Sequence, residues 1–432
     1  MELMTKKILL LSTTDDNGAH EAIYRIAKHF KYENHEVKML VKRKTKSDDV
    51  IVAYRDEHTN IMTRFFKKLI VKILNKIKTK ISYEAQYVFF SKDETSINTE
   101  PKRIIDLLGY IPDIIFVGTT HGFMNSTDLL NLQKFTNAKV FNITVDMNHF
   151  TGGCHFAWDC QGFITGCTNS CPAIIGKNGR NLAQKNFTKK LENAKAGNFQ
   201  IIAGSGWTLK QASESKIYKN QNEILNVNSL IDTTLFSPRS RKYAKNVFNL
   251  DSNKFYVLMG CQNTNNKQKG FEYLLEALKI LDKNLSRQQN EKIRIIIVSK
   301  RKAINFDEIP FQKEYMDFIT DNRLLSLLYQ ACDVFVNSSI EDPGPMMVSE
   351  ALACGTPVVG FDMGVVNNMV INDYNGYKAI LKDSSDLAKG IYTIFNLNYD
   401  EYKVYSDNAV RQVEEFSSMT YAKKVFDRIM EN

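Results

Sequence analysis

The stretch "SIEDPGPMMVSEALACGTPVV", Ser339 to Val359, carries three carboxylates, Glu341, Asp342 and Glu350. Asp342 and Glu350 are separated by seven residues and by a Pro-Gly-Pro break, so the first falls in a loop and the second on a helix expected to begin near Pro345. A carboxylate accepts hydrogen bonds from neighbouring hydroxyls, which suits a ribose or a hexose. Taken alone, the pair equally fits an acid meeting the dipole of a helix N-terminus. Upstream, "KFYVLMGCQNTNNKQKGFEYLLEALKIL" places Lys267 and Lys269 just before Gly270 and an apolar stripe of Phe271, Leu274, Leu275 and Leu278. Cations beside the free amides of a helix start are chemistry for a phosphate.

A second group lies in "DMNHFTGGCHFAWDCQGFITGCTNSCP". Cys154, Cys160, Cys167 and Cys171 fall within 18 residues, with His149 and His155 beside them. Thiolates at this density suggest a tetrahedral structural metal site, zinc first. The spacings lack C-x2-C knuckles, so reduced packing cysteines and a disulfide stay open as readings. His121 in "GTTHGFMN" and Asp146 after "VFNIT" each follow a strand-like run, and either could act on a ligand at the end of that strand.

The elements that must position these residues are read from periodicity. Apolar runs "KILLLSTT", "EVKMLVK", "DIIFVGTT" and "AKVFNIT", then "KFYVLMG", "IRIIIVS", "DVFVNSS" and "TPVVGF", alternate with helical patterns such as Ala22, Ile23, Ile26, Ala27 and Phe30. That is the pattern of parallel βαβ units, and it predicts two doubly wound α/β domains. With 432 residues and 43% hydrophobic side chains, each half can bury a core. A polar stretch with a Ser-Pro pair puts the boundary at about residue 228, giving domains 1–228 and 229–432, with the last helix a candidate to pack back on the first domain. Gly18 then sits at the first β-to-α turn, on the edge where such sheets bind ligands.

The formal charge of +9 suits an anionic partner without choosing one. Nucleic acid is disfavoured, because basic and aromatic residues are not interleaved. The apolar run Ile8–Leu11 is too short for an export signal, so a reducing cytosol is expected for the seven cysteines. Segment 63–80, "TRFFKKLIVKILNKIKTK", holds seven Lys/Arg and no acid, with Phe66, Leu69, Ile70, Ile73, Leu74 and Ile77 at helical spacing. It reads as a basic amphipathic helix suited to an anionic membrane surface, or as a domain helix whose lysines are simply solvated.

Asp342, Glu350 and the following "ALACGTPVV" resemble the E-x7-E block of the GT-B glycosyltransferases of family 4. That resemblance implies two Rossmann-like domains facing each other across a cleft, the first binding the acceptor and the second a nucleotide-sugar donor. It assigns Glu350 to the ribose and Asp342 to the transferred sugar, although Asp342 stands where the family carries Glu, and neighbouring Glu341 is an alternative acid. Lys267 and Lys269 match the family's "KG" helix start at the donor diphosphate. Cys261 follows Gly260 where an arginine is common, which leaves the phosphates to the two lysines. Gly364 matches the glycine loop facing the donor, and Gly18 the turn that closes over it. The "FTGGCH...DC...GC..CP" segment is similar to a bacterial subgroup that builds exopolysaccharide and O-antigen repeats. In that subgroup an "HD" pair precedes TGGC; Val145 and Asp146 occupy it in this chain, so His121 or His149 is left to supply a histidine, if one is needed.

The resemblance implies a retaining hexosyltransferase using a UDP- or GDP-sugar, with no enzyme nucleophile and no catalytic metal. The acceptor implied is a sugar, polyprenyl-diphosphate-linked in the membrane reading, which the basic segment would meet from the cytoplasmic face of the membrane. Val145 and Asp342 keep a rival open: a non-catalytic GT-B protein that binds sugar nucleotide or a partner glycosyltransferase.

Overall fold

A computed structural model of the chain describes residues 5–16, 18–54 and 81–431. The basic segment at 63–80 lies outside the described residues. The chain divides into two compact units, one comprising the residues up to Ile202 with Lys210–Ile224, the other Ala203–Leu209 with the residues from Leu225 onward.

The first unit is built on a six-stranded sheet of β1 (Lys7–Thr14), β2 (Glu36–Arg43), β3 (Ile51–Ala53), β5 (Ile114–Val117), β6 (Lys139–Thr144) and β8 (Gln200–Ala203), in the order β3-β2-β1-β5-β6-β8. Strands β4 (Ser82–Tyr83) and β7 (Ile174–Ile175) form a separate antiparallel pair. Leu10 of β1 pairs with Met39 on one side and Phe116 on the other, both in parallel register. Ile8 to Leu11 are wholly buried, as a strand covered on both faces requires.

The second unit repeats the plan with β9 (Phe255–Gly260), β10 (Ile293–Ser299), β11 (Gln312–Asp317), β12 (Val334–Asn337), β13 (Val358–Phe361) and β14 (Gly376–Ala379), in the order β11-β10-β9-β12-β13-β14 and parallel throughout. The eight strand-like runs of the sequence all fall on these strands. In both sheets the order reverses beside the first strand, at β1/β5 and at β9/β12. Loops leaving those pairs diverge to opposite faces and open a crevice at the carboxyl edge, where doubly wound sheets take their ligands.

Loop anchoring at the first edge rests on one buried acid. The helix Ser126–Thr136 starts with a capping box in which Asn125 and Asp128 bond each other's backbone amides. Asp128 Oδ1 also accepts from the Asn98 and Thr99 amides at 2.7 and 2.9 Å, and Oδ2 from Asn98 Nδ2 at 2.8 Å. Removing this carboxylate strands several donors in a dry environment, so Asp128→Ala should lower unfolding free energy by roughly 3 kcal/mol. Urea denaturation checks it, and a loss below about 1 kcal/mol would show that water replaces the carboxylate without penalty.

Candidate functional site

In the second unit, β9 ends at Gly260 and the chain returns to a helix through a short turn, Lys267–Lys269, with Gly270 at φ +61°. A Cβ on Gly270 would lie 2.0 Å from the Ser338 carbonyl oxygen, so only glycine lets this turn press against the loop that follows β12. The two loops are joined by hydrogen bonds. Ser338 Oγ donates to the Lys269 carbonyl at 2.9 Å, and the Ile340 amide donates to the Gln268 carbonyl at 2.8 Å. Lys269 Nζ forms an ion pair with Asp342 Oδ2. Burial presses the Lys269 ammonium toward its neutral form, but the Asp342 carboxylate outweighs it and leaves the lysine above its ordinary range.

Around this pair the structure gathers most of the expected donor residues. Glu341 and Asp342 are both buried at the end of the β12 loop, and Gly364, at φ +55°, packs its backbone on the Asp342 carbonyl. Glu350 is buried on the helix Met346–Ala353, where its Oε2 accepts from Tyr329 at 3.0 Å. Two more polar atoms at this edge, Asn337 Nδ2 and Ser349 Oγ, are buried without a hydrogen-bond partner among the described residues. Lys267 is solvent-exposed at the start of the same turn. Cys261 is buried next to Lys269, and burial pushes its thiol up to about 11. Sequence reasoning missed Tyr329: on the helix Asn322–Ala331 it keeps the spacing of a core residue, and only the fold turns its hydroxyl onto Glu350.

In the first unit the carboxyl edge is lined by imidazoles. His20 Nδ1 meets Ser12 Oγ at 2.6 Å, and its ring centre lies 6.3 Å from that of His121. His121 bonds Thr119 Oγ1 at 2.9 Å, stacks on Phe90 at 4.4 Å, and meets the His155 ring edge-on at 5.2 Å. His155 Nδ1 lies 2.9 Å from Asp146 Oδ2. The structure thus brings His121 and Asp146 together through His155, a residue noted in the sequence only as a neighbour of the cysteines. Burial would raise the Asp146 carboxyl, yet His155 overrides it and holds it well below the usual range. Gly18 opens the helix Gly18–Tyr32 with free space where a side chain would be, so neither its backbone nor its packing requires glycine.

The four cysteines of the TGGC segment share one apolar cluster with Tyr87, Phe89 and Ile174. Among the described residues no group of three or more His, Cys, Asp or Glu is placed to hold a metal ion, so the expected zinc site gains no support from this geometry. What the segment does is mechanical. Phe89 bridges Cys154, the Phe90 amide donates to the Gly153 carbonyl at 3.0 Å, and Trp158 Nε1 donates to the Gln86 carbonyl at 2.8 Å. Val88, held at φ +48° after the turn Ala85–Tyr87, redirects the chain just before Phe90, which stacks on His121.

Residues 240–412 match the glycosyl transferases group 1 family. That stretch contains every expected donor residue of the second unit. An uncharacterized glycosyltransferase of Methanocaldococcus jannaschii is 28% identical over 164 residues, which are 34% of this chain and 40% of that protein. The N,N'-diacetylbacillosaminyl-diphospho-undecaprenol alpha-1,3-N-acetylgalactosaminyltransferase of Campylobacter jejuni is 31% identical over 108 residues, 24% of this chain and 28% of that protein. The chain therefore spans less than half the length of these curated relatives. Across 99% of its length it superposes on all of Anabaena HepE, crystallised with UDP-glucose, at a TM-score of 0.62 and 14% identity, which gives the whole chain the GT-B fold.

The imidazole edge has a pH signature. Burial lowers the pKa of His149 to about 4, with Asp146 opposing, and burial together with His121 lowers His20 to about 4. A histidine depressed on folding contributes stability that is complete above its unfolded pKa of about 6.5 and is lost as pH falls toward the folded value. Unfolding free energy should therefore drop between about pH 6.5 and 4, by roughly 3 kcal/mol from His149 alone. Urea titrations across that range check this, and His149→Gln should flatten the profile.

Proposed function

We propose that the protein is a retaining glycosyltransferase that moves a hexose from a nucleotide-sugar donor to a sugar acceptor. The observation that carries this reading is the convergence of Lys269, Asp342, Glu341 and Glu350 on the two loops and following helix at the β9/β12 crevice, inside the stretch that matches the group 1 family. The likeness to HepE, crystallised with UDP-glucose, favours a UDP-sugar among the donors.

The residues divide the work by charge. Glu350, oriented by Tyr329, accepts from the ribose hydroxyls. Lys269, with Lys267 at the rim, supplies the positive charge that meets the diphosphate as it departs, so that no divalent ion is needed there. When the diphosphate takes the lysine, Asp342 is released from its ion pair and its oxygens turn to the hydroxyls of the transferred sugar. Glu341 and the Gly364 backbone close the same pocket, and Gly18 leaves room at the first edge for a ligand to approach the helix start. Asp146 and His121, joined by His155, are placed to orient an acceptor hydroxyl. Chemistry of this kind depends on alignment and charge rather than on a protein nucleophile.

The acceptor we favour is a polyprenyl-diphosphate-linked sugar of bacterial surface polysaccharide synthesis. The Campylobacter relative is named for a diphospho-undecaprenol acceptor. No helix among the described residues is long and apolar enough to cross a membrane. Attachment would then fall to the basic segment at 63–80, at the cytoplasmic face.

Incubation with UDP- or GDP-hexoses and an undecaprenyl-diphosphate-linked monosaccharide in anionic vesicles should give a product with the donor's anomeric configuration, read by NMR. Asp342→Asn should cut turnover roughly 100-fold or more while nucleotide binding persists. Nucleotide binding without any transfer in the wild type would favour a non-catalytic sugar-nucleotide binder.

A further inference from the structure

The four sulfurs of the TGGC segment fall into two facing pairs. Cys160 and Cys167 each stand 3.3 Å from the point where a Cβ on Gly162 would lie, and the Gly162 amide donates to Cys160 Sγ at 3.4 Å. Cys154 and Cys171 meet directly, the Cys154 thiol donating to Cys171 Sγ. All four are free thiols gathered in one apolar cluster. Packing accounts for apolar sulfurs, but it does not account for the two members of the second pair being made unlike.

Cys154 is buried, whereas Cys171 is half-buried and reachable from solvent. The bond from Cys154, joined by the Ala173 and Ile174 amides, holds the Cys171 thiol below its ordinary range against the burial that would raise it. That same bond, together with burial, pushes the Cys154 thiol up. Burial pushes Cys167 up to about 12. The thiolate is the form that attacks a disulfide, so a reachable sulfur favoured as thiolate beside a protonated partner has the layout of an attacking and a resolving cysteine. Where thiols are kept reduced, such pairs serve sensing rather than structure.

The pair also stands at a mechanical junction. Just after Cys171, the Ala173 carbonyl accepts from the Glu84 amide at 3.0 Å and Ile174 pairs with Tyr83 across β4 and β7. Just after Cys154, the His155 amide donates to the Tyr87 carbonyl at 3.1 Å while its ring meets Asp146. A bond between the two sulfurs staples the β4/β7 pair to the stretch that holds His155.

We propose that Cys154 and Cys171 are a reversible dithiol/disulfide couple, open to small disulfides of the glutathione class, that closes this staple when oxidised. The Cys171 thiolate attacks one sulfur of the small disulfide and releases its other half as a thiolate. Cys154 gives its proton to that thiolate and attacks Cys171 Sγ, expelling the second half, which takes a proton from water. Two protein sulfurs are oxidised and the small disulfide is reduced to two thiols. The couple stands independently of the glycosyltransferase reading.

The reduced full chain, equilibrated with mixtures of reduced and oxidised glutathione, tests it by mass mapping of cross-linked and blocked thiols. Cleavage after Phe156, Trp158 and Phe163 separates Cys154, Cys160 and the peptide that holds Cys167 and Cys171, and Cys167→Ser leaves Cys171 as the one thiol of that peptide. The expected product is a cross-link between Cys154 and Cys171 that dithiothreitol reverses, in a protein melting a few degrees above its reduced form. Cys154→Ser should instead retain glutathione on Cys171, at least about tenfold faster than on the buried Cys261, Cys332 or Cys354. No cross-link in the wild type, a cross-link confined to Cys160 and Cys167, or glutathione on either of those in Cys154→Ser overturns the proposal. Thiols that react only after a chelator is added overturn it as well, by assigning them to a metal. The expected cross-link in a chain that no nucleotide sugar stabilises would uphold the couple and count against the transferase reading alone.

Discussion

A buried charge has to be paired, and the second unit is organised around that constraint. Asp342 and Glu341 are carried into a dry crevice by the loop after β12, and Lys269 is carried there by the turn after β9. Their pairing is feasible because Gly270 lets the turn approach the Ser338 carbonyl, and the backbone bonds between the loops hold that approach. Take away the glycine and the lysine moves; take away the lysine and an acid is left uncompensated. The pair thus keeps the crevice in order, and in the proposed function it supplies the cation and the acid that a nucleotide sugar would engage separately.

The first unit reaches a different solution with the same strand order. Its edge holds imidazoles and aromatics beside its buried acids, and one of those acids, Asp146, is matched by His155. That histidine arrives from the TGGC segment, whose cysteines share an apolar cluster with Phe89 and bridge to the loop that carries Phe89 and Phe90. The segment therefore earns its place as a clamp for the edge. The position of Val145, where a histidine is expected, need not be filled when His155 meets Asp146 from outside the motif.

The strands, and the residues that meet at the β9/β12 crevice, were legible because both are marked locally. Unbroken apolar runs such as Ile293–Val298 mark buried parallel strands, and Lys269-Gly270 and Asp342-x7-Glu350 are short spacings fixed by one turn and one helix start. The pairing of Lys269 with Asp342, 73 residues apart, was not visible, since it depends on which loops the sheet order makes neighbours. Tyr329 was hidden by its core-like spacing, and His155 by its place among cysteines that drew attention to metal chemistry. The cysteine spacing left metal and packing roles open for a physical reason: thiols are small apolar groups as well as ligands, and the structure shows them in an apolar cluster with aromatic neighbours.

The central claim is that the β9/β12 crevice binds a nucleotide sugar through Glu350. It is tested most directly by the thermal shift that UDP-, GDP-, ADP- and CDP-sugars produce in the wild type and in Glu350→Ala, each measured against its own ligand-free melting temperature. The account predicts that one nucleotide class raises the melting temperature of the wild type and leaves that of the variant unmoved. Equal stabilisation of both proteins, or none of either, would contradict it.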